Sequence, residues 1–150
     1  MRGRDWNTDS WLQQVITASI DGLAEPRNPG TGTYGYVIYE GKRKLAEGEG
    51  LAGYEVTNNH AEYTALVEVL RKMKELRIGE DVVIRSDSQL LVGQMSKGWE
   101  VKRGGYLGKL KEARDLLKEF RSVRFEWIPR EQNEEADLLS RIAYEKHKKK

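Results

Sequence analysis

The chain has 150 residues, enough for one domain with a substantial core, and its 26 Lys+Arg against 24 Asp+Glu leave a formal net charge of +2. That balance neither demands nor excludes a nucleic-acid partner, so the distribution of charge has to decide. With no cysteine and two histidines, disulfides and cysteine nucleophiles are excluded, and a multi-histidine zinc site or a Ser-His-Asp triad is disfavoured.

Met1 to about residue 13 is irregular and holds Trp6 and Trp11. Val15 to Asp21 alternates, with Ile16, Ala18 and Ile20 on one face and Val15, Thr17, Ser19 and Asp21 on the other, which predicts a strand ending in an acid. Leu23 to Gly32 is dense in turn formers and predicts a loop. Tyr34–Tyr39 and Lys44–Leu51 read as two further strands joined at Gly41, completing an antiparallel meander. From Ala61 to Leu76 the apolar residues recur at helical spacing, and Glu62 lies on that buried side, with Leu66, Val69 and Met73 following it. A carboxylate there is costly unless a positive group meets it.

Asp81–Ser86 contains Val82, Val83 and Ile84 and predicts a buried strand, after which Leu90, Leu91 and Met95 suggest a short helix closed by Gly98. Trp99–Gly105 is a basic linker. Tyr106, Leu110, Ala113, Leu117 and Phe120 mark an amphipathic helix, and Val123–Ile128 a strand stopped by Pro129. Asn133 is a suitable N-cap for a last helix running to about Tyr144, with Glu134 and Glu135 in its first turn. Lys146–Lys150 reads as a solvated basic tail. The order β-β-β-α-β-α-α-β-α predicts one α/β domain over residues 1–150, with a mixed five-stranded sheet flanked by helices.

Asp21 and Asp87 each follow a strand expected to be central, and ligands bind in the crevice beyond such strand ends. Glu62 opens the helix after the third strand, and Asp137 lies early in the last helix. Carboxylates converging at one end of the sheet repel and raise one another's pKa unless a cation joins them. A set of oxygen ligands without Cys or His suits Mg²⁺ or Mn²⁺ rather than zinc. Two such ions roughly 3.5–4 Å apart serve in-line phosphoryl displacement, so the chemistry indicated is phosphodiester hydrolysis. Spacing puts Ala136, Leu138, Leu139, Ile142 and Ala143 on the last helix's core stripe and Asp137 opposite it, where a solvated surface acid is the simpler reading. Taken singly, Asp21-Gly22 reads as a turn and Asp87 as a helix cap.

Four motifs change that. Asp21-Gly22 with Asn28-Pro29-Gly30, Thr57-Asn58-Asn59-x-x-Glu62, Ser86-Asp87-Ser88-Gln89 and Asn133-x-x-Ala136-Asp137, in that order, resemble the motifs of type 1 ribonuclease H from about Val15 to Ala143. The resemblance implies a ribonuclease H-like fold and identifies Asp21, Glu62, Asp87 and Asp137 with the family's catalytic, metal-binding acids. It implies two Mg²⁺ ions, replaceable by Mn²⁺, and hydrolysis of the RNA strand of an RNA/DNA hybrid to 5′-phosphate and 3′-hydroxyl ends. Gly22, Asn28, Thr57, Asn58, Asn59, Ser88 and Gln89 match substrate-binding positions. Neutral amides and hydroxyls there would meet 2′-OH groups and base edges without adding charge repulsion.

The sequence departs from the family in three places. The loop from Asp21 to Asn28 is one residue longer than the common bacterial spacing. No histidine precedes the last helix, and Arg130 is the substitute: not a base, but able to hold a phosphate, unless it pairs with Glu131 or Glu134. There is no lysine-rich protrusion, only Lys97, Lys102, Arg103 and Lys109 with Trp99 and Tyr106. Fewer phosphate contacts imply weaker, less salt-sensitive binding, and the resemblance to handle-less members of the family, which look less strict, implies some action on RNA/RNA duplexes. His60, two residues before Glu62 and about 200° round the helix, is read as a packing or solvated residue. The competing readings are a non-cleaving RNA- or hybrid-binding module and another nuclease on the same scaffold. No apolar run approaches membrane-spanning length and no signal-peptide core is evident, so a soluble cytoplasmic monomer, away from membranes, is expected.

Overall fold

The computed structural model describes residues 15–101 and 103–149, so the expectations for the N-terminal extension with Trp6 and Trp11, for Lys102 and for Lys150 fall outside the described residues. The strands are β1 (Ile16–Glu25), β2 (Gly30–Glu40), β3 (Arg43–Val56), β4 (Asp81–Ser86) and β5 (Ser122–Trp127). The helices are α1 (Asn58–Glu75), α2 (Gln89–Ser96), α3 (Leu107–Leu117) and α4 (Glu134–His147), with a 3₁₀ turn at Arg130–Gln132. One sheet runs in the order β3-β2-β1-β4-β5. Its first three strands are antiparallel, while β4 lies parallel to β1 and β5 parallel to β4. This is the expected mixed sheet.

The alternation in β1 decides how the layers form. Ile16, Ala18 and Ile20 are buried with Leu66, Val69, Leu70 and Met73 of α1 in one core; each such Leu or Val is worth roughly 1.5–3 kcal/mol when removed from water. The opposite face of β1 and β2 carries α4. Gly35 permits that approach, because a Cβ there would lie 2.5 Å from the Ala136 carbonyl oxygen and 2.7 Å from the Ser140 nitrogen. The Thr33 hydroxyl also donates to the Ser140 carbonyl at 2.8 Å. Helix α3 lies beside α1, burying Leu110 and Ala113 and pairing Glu112 with Arg71. A buried polar network ties α1, α2 and the linker together. Tyr63 Oη donates to Gln94 Oε1 at 2.6 Å, and Gln94 Nε2 donates to Tyr106 Oη at 3.1 Å and to the Glu100 carbonyl at 3.2 Å.

Several boundaries differ from the sequence expectations. The span Leu23–Gly32 is not all loop: β1 continues to Glu25 and β2 starts at Gly30, pairing Ala24 with Gly32 and Glu25 with Thr31. The glycines look like turn formers but sit in strands because neighbours press on them. A side chain at Gly32 would strike Val56, and one at Gly22 would meet the start of α1. Strand β3 extends to Val56 through a register shift near Gly53. In α4 the buried stripe is Ala136, Leu139, Ser140 and Ala143, whereas Leu138 is 60% and Ile142 39% exposed. The tight approach at Gly35 selects the small Ser140 for the inner face, which turns Leu138 and Ile142 outward. The same helix runs on to His147, past the expected end at Tyr144. Lys146 pairs with Glu49 at 2.6 Å, and the Tyr54 hydroxyl donates to the His147 carbonyl at 2.9 Å, so this part of the tail is docked on β3.

Candidate active site

The geometry of the acids follows from where β1 and β4 part. Their parallel pairing ends at Ile20 with Ser86, while β1 runs on and remains paired with β2. Asp21 is thus mid-strand, not terminal as expected, but it is the first residue past the β4 contact. Asp87 is the first residue after β4. The gap between them is the crevice at which an α/β sheet binds ligands. Glu62 reaches this gap from the α1 side and Asp137 from the α4 side.

Glycine is required at position 22 for Glu62 to arrive. A Cβ there would lie 2.5 Å from both the Ala61 carbonyl oxygen and the Glu62 nitrogen, backbone atoms with little freedom to yield. The Gly22 backbone N–H faces the carboxylates of Glu62 and Asp21 and favours their charged forms. Oxygens of Asp21, Glu62 and Asp87 all lie within 4.8 Å of one another. Asp137 stands outside that tight set. Its carboxylate stands where it would accept a hydrogen bond from a protonated Asp21, and its Oδ2 accepts from Arg141 Nε at 3.2 Å. It is neither opposite the core nor buried: its side chain is 26% exposed at the edge of the α4 stripe.

The electrostatics record this crowding. Burial, then the charge of Asp87, then the hydrogen bond that a protonated Asp21 gives the Asp137 carboxylate and the charge of Asp137, push the Asp21 carboxyl up from its ordinary 3.8 to about 8. Burial, then Asp21 and Asp87, raise Glu62 well above the usual range. Burial also raises Asp87, opposed by its hydrogen bond from Asn133 and by the charge of Arg130. One oxygen, Glu62 Oε1, is buried with no hydrogen-bond partner. A buried, orphaned oxygen on a carboxylate that is gathered with two others is a costly arrangement for a metal-free protein. It is an ordinary one for a hard divalent cation, which takes oxygen ligands. The donor set fits such an ion.

The other residues singled out from the sequence divide between support and surface. Thr57 caps α1, its Oγ accepting from the His60 N–H at 3.1 Å. Ser88 caps α2, accepting from the Leu91 N–H at 3.1 Å. Asn58 Oδ1 accepts from the Ala24 N–H at 2.7 Å, and Asn28 Oδ1 from the Asn58 N–H at 3.0 Å. These two bonds clip the β1–β2 loop to the start of α1. No hydrogen bond among the described residues uses Nδ2 of Asn28 or Asn58, and both residues are exposed. Asn59 is half-buried and Gln89 exposed. Arg130 forms no ion pair with Glu131 or Glu134 among the described residues; its charge instead bears on Glu62 and Asp87. His60 Nδ1 lies 3.2 Å from the Gly105 carbonyl, a packing position as expected. Trp99 is 45% exposed and its ring lies over Gly93.

Two residues escape a reading of the sequence. Asn133 is expected as an N-cap, yet its side chain makes no capping bond. It is 1% exposed, and its Nδ2 donates to the Ile20 carbonyl at 2.8 Å and to Asp87 Oδ2 at 3.4 Å. Trp127 donates its indole N–H to the Asp87 carbonyl at 3.2 Å. A broad hollow lined by Val15, Leu45, Ile78 and Arg124 among others lies at the opposite end of β1 and β4 and shares no residue with the acids.

Comparison with known proteins bears on the fold and the family. The family model described as reverse transcriptase-like matches residues 20–143. Ribonuclease H of Desulforamulus reducens is 35% identical over 142 residues, covering 83% of this chain and 84% of its own. The bifunctional protein Rv2228c of Mycobacterium tuberculosis is 38% identical over 118 residues, covering 77% of this chain; the match spans only 32% of the longer protein. Among solved structures, LC11-RNase H1, from a compost metagenome and crystallised with an RNA/DNA hybrid, superposes with a TM-score of 0.80 at 33% identity, covering 87% of this chain and 97% of that one. A family model matching residues 20–143, a ribonuclease H matched over 84% of its length and a ribonuclease H1 structure matched over 97% of its chain lead to one conclusion: the chain belongs to the type 1 ribonuclease H family.

Proposed function

We propose that this ribonuclease H is an endonuclease that hydrolyses the RNA strand of RNA/DNA hybrids, with water as the nucleophile, leaving 5′-phosphate and 3′-hydroxyl ends. The observation that carries the reading is the convergence of Asp21, Glu62 and Asp87 within 4.8 Å, with the Glu62 Oε1 buried and unpartnered. Asp21, Glu62, Asp87 and Asp137 would hold two Mg²⁺ ions, or Mn²⁺ in their place. Bound there, the ions supply a lowered pKa for the attacking water and charge stabilisation at the phosphoryl oxygens.

The chain's own side chains do the rest. Asn28, Asn58 and Asn59 on one rim and Ser88 and Gln89 on the other present amides and hydroxyls, without net charge, to the two strands. Gly22 and the Thr57 cap keep the first rim in place through backbone geometry. Where the substrate is RNA, its 2′-OH can bond such groups, and a deoxy strand cannot. Arg130, whose charge bears on Glu62 and Asp87, would hold a phosphate bidentately. It does not exchange protons at working pH, so it binds and orients. Between Ser96 and Leu110 the described residues offer only Lys97, Arg103 and Lys109 as positive groups, which suits a modest grip on the substrate and weaker action on RNA/RNA duplexes.

Incubating end-labelled RNA/DNA hybrid, RNA duplex and DNA duplex with Mg²⁺ tests this. Internal cuts in the RNA strand of the hybrid are expected, with slower cutting of the RNA duplex and none of the DNA duplex. Binding without cleavage, or cleavage of DNA, would overturn the reading.

A further inference from the structure

We infer that Asn133 and Trp127 are positioning residues that fix Asp87 for cation binding, a task that neither the motif pattern nor the acids themselves reveal. The inference rests on the reading of Asp87 as a metal ligand. The β1–β4 pairing stops at Ile20 with Ser86, and Asp87 begins the diverging segment. The Asn133 amide stands in this fork. Its Nδ2 donates to the carbonyl of Ile20 at 2.8 Å and, more weakly, to Asp87 Oδ2 at 3.4 Å. It thus extends the ladder by one rung made of a side chain.

The orientation of the amide is dictated by its neighbours, since both are acceptors. Turned over, Asn133 would set Oδ1 against a carbonyl oxygen and a carboxylate. The observed orientation leaves its Oδ1 buried without a partner, so the arrangement sacrifices one hydrogen bond to keep the other two. On the other side of Asp87, the Trp127 indole N–H reaches the Asp87 carbonyl at 3.2 Å, and the Ile128 N–H donates to the Ser86 carbonyl at 3.0 Å. The carboxylate and the backbone of one acid are therefore both held by groups that follow β5 or end it. Groups of this kind, one bond removed from a metal, fix ligand orientation, and their loss typically costs about 10- to 100-fold in metal affinity.

The test is Mn²⁺ binding by calorimetry to the full chain without nucleic acid, for wild type, Asn133→Ala, Asn133→Leu and Trp127→Phe, with melting curves in chelator. Asn133→Ala and Asn133→Leu are expected to raise the Kd for Mn²⁺ about 10- to 100-fold. Trp127→Phe keeps an aromatic ring at a position 45% exposed and removes only the donor, so a smaller rise, toward the lower end of that roughly 10- to 100-fold range, is expected, with the hybrid KM unchanged. Folded variants that bind Mn²⁺ with the wild-type Kd overturn the inference, whatever their melting temperatures. If the Asn133 variants do not fold, Trp127→Phe decides it in the same way. A wild-type chain that binds no Mn²⁺ overturns the metal site and this inference together, which separates the two failures.

Discussion

Asp87→Asn is expected to reduce cleavage of the hybrid by more than the roughly 10- to 100-fold that removal of an outer hydrogen-bond partner costs, while leaving the metal-free fold at least as stable. The two halves of this expectation have one cause. Asp87 contributes a negative oxygen to a set in which Asp21 and Glu62 already repel one another. Replacing it with an isosteric amide removes a ligand and, at the same time, relieves the repulsion. The carbonyl oxygen of the new amide can still accept from Asn133, so the local geometry survives. Sites built for function often cost stability, and here the exchange should be visible in a single variant. Steady-state rates with Mg²⁺, set beside melting curves in chelator, are the measurement. Retained turnover would remove Asp87 from the site, and a collapsed fold would make it a structural residue.

The second large effect concerns pH. Asp21 has its folded pKa pushed up from 3.8 to about 8, so the folded state holds this proton more tightly than the unfolded chain does. A group with a raised folded pKa stabilises fully below its unfolded value, and that contribution is lost as pH rises through the folded value. The metal-free protein should therefore lose stability between pH 3.8 and about 8. At about 1.4 kcal/mol per pH unit for one proton, and about 2–4 °C per kcal/mol for a domain of this size, the melting temperature should fall by roughly 3–6 °C per unit across the window. Burial is the leading cause, with Asp87 next, and Glu62 shifts in the same direction. With Mg²⁺ present the slope should flatten or reverse, because the ion binds only deprotonated ligands and stabilises more as pH rises. Equal slopes with and without Mg²⁺ would show that the cation does not enter this cluster.

Part of this is legible in the sequence, for identifiable reasons. Strand β1 is readable because Ile16, Ala18 and Ile20 alternate with the residues of the other face. Helix α1 is readable because its stripe is continuous, and Glu62 interrupts it where an acid must be explained. The β1–β2 boundary is hidden because Gly22 and Gly32 speak for turns, whereas each is a glycine on account of what another segment presses against it. Such non-local packing leaves no periodic trace. The inner face of α4 is obscured for the same reason: hydrophobicity favours Leu138 and Ile142, but the close approach at Gly35 favours Ser140. Asp137 gives no signal of its own, and only the four-motif resemblance points to it. Asn133 stands where a helix cap belongs, yet its use is set by the fork between β1 and β4, which no single segment contains.

No helix among the described residues is long and apolar enough to cross a bilayer. The acids are the point on which the proposed activity turns. Asp21, Glu62, Asp87 and Asp137 come from a strand, a helix, a strand end and a second helix, and on the proposed reading the protein tolerates their proximity because divalent cations share it. The direct test is anomalous diffraction from crystals soaked in Mn²⁺. Two peaks bounded by these four carboxylates are expected, one of them in contact with Glu62 Oε1. No peak among them at saturating Mn²⁺, with wild-type protein that cleaves hybrid in solution, would contradict the metal site.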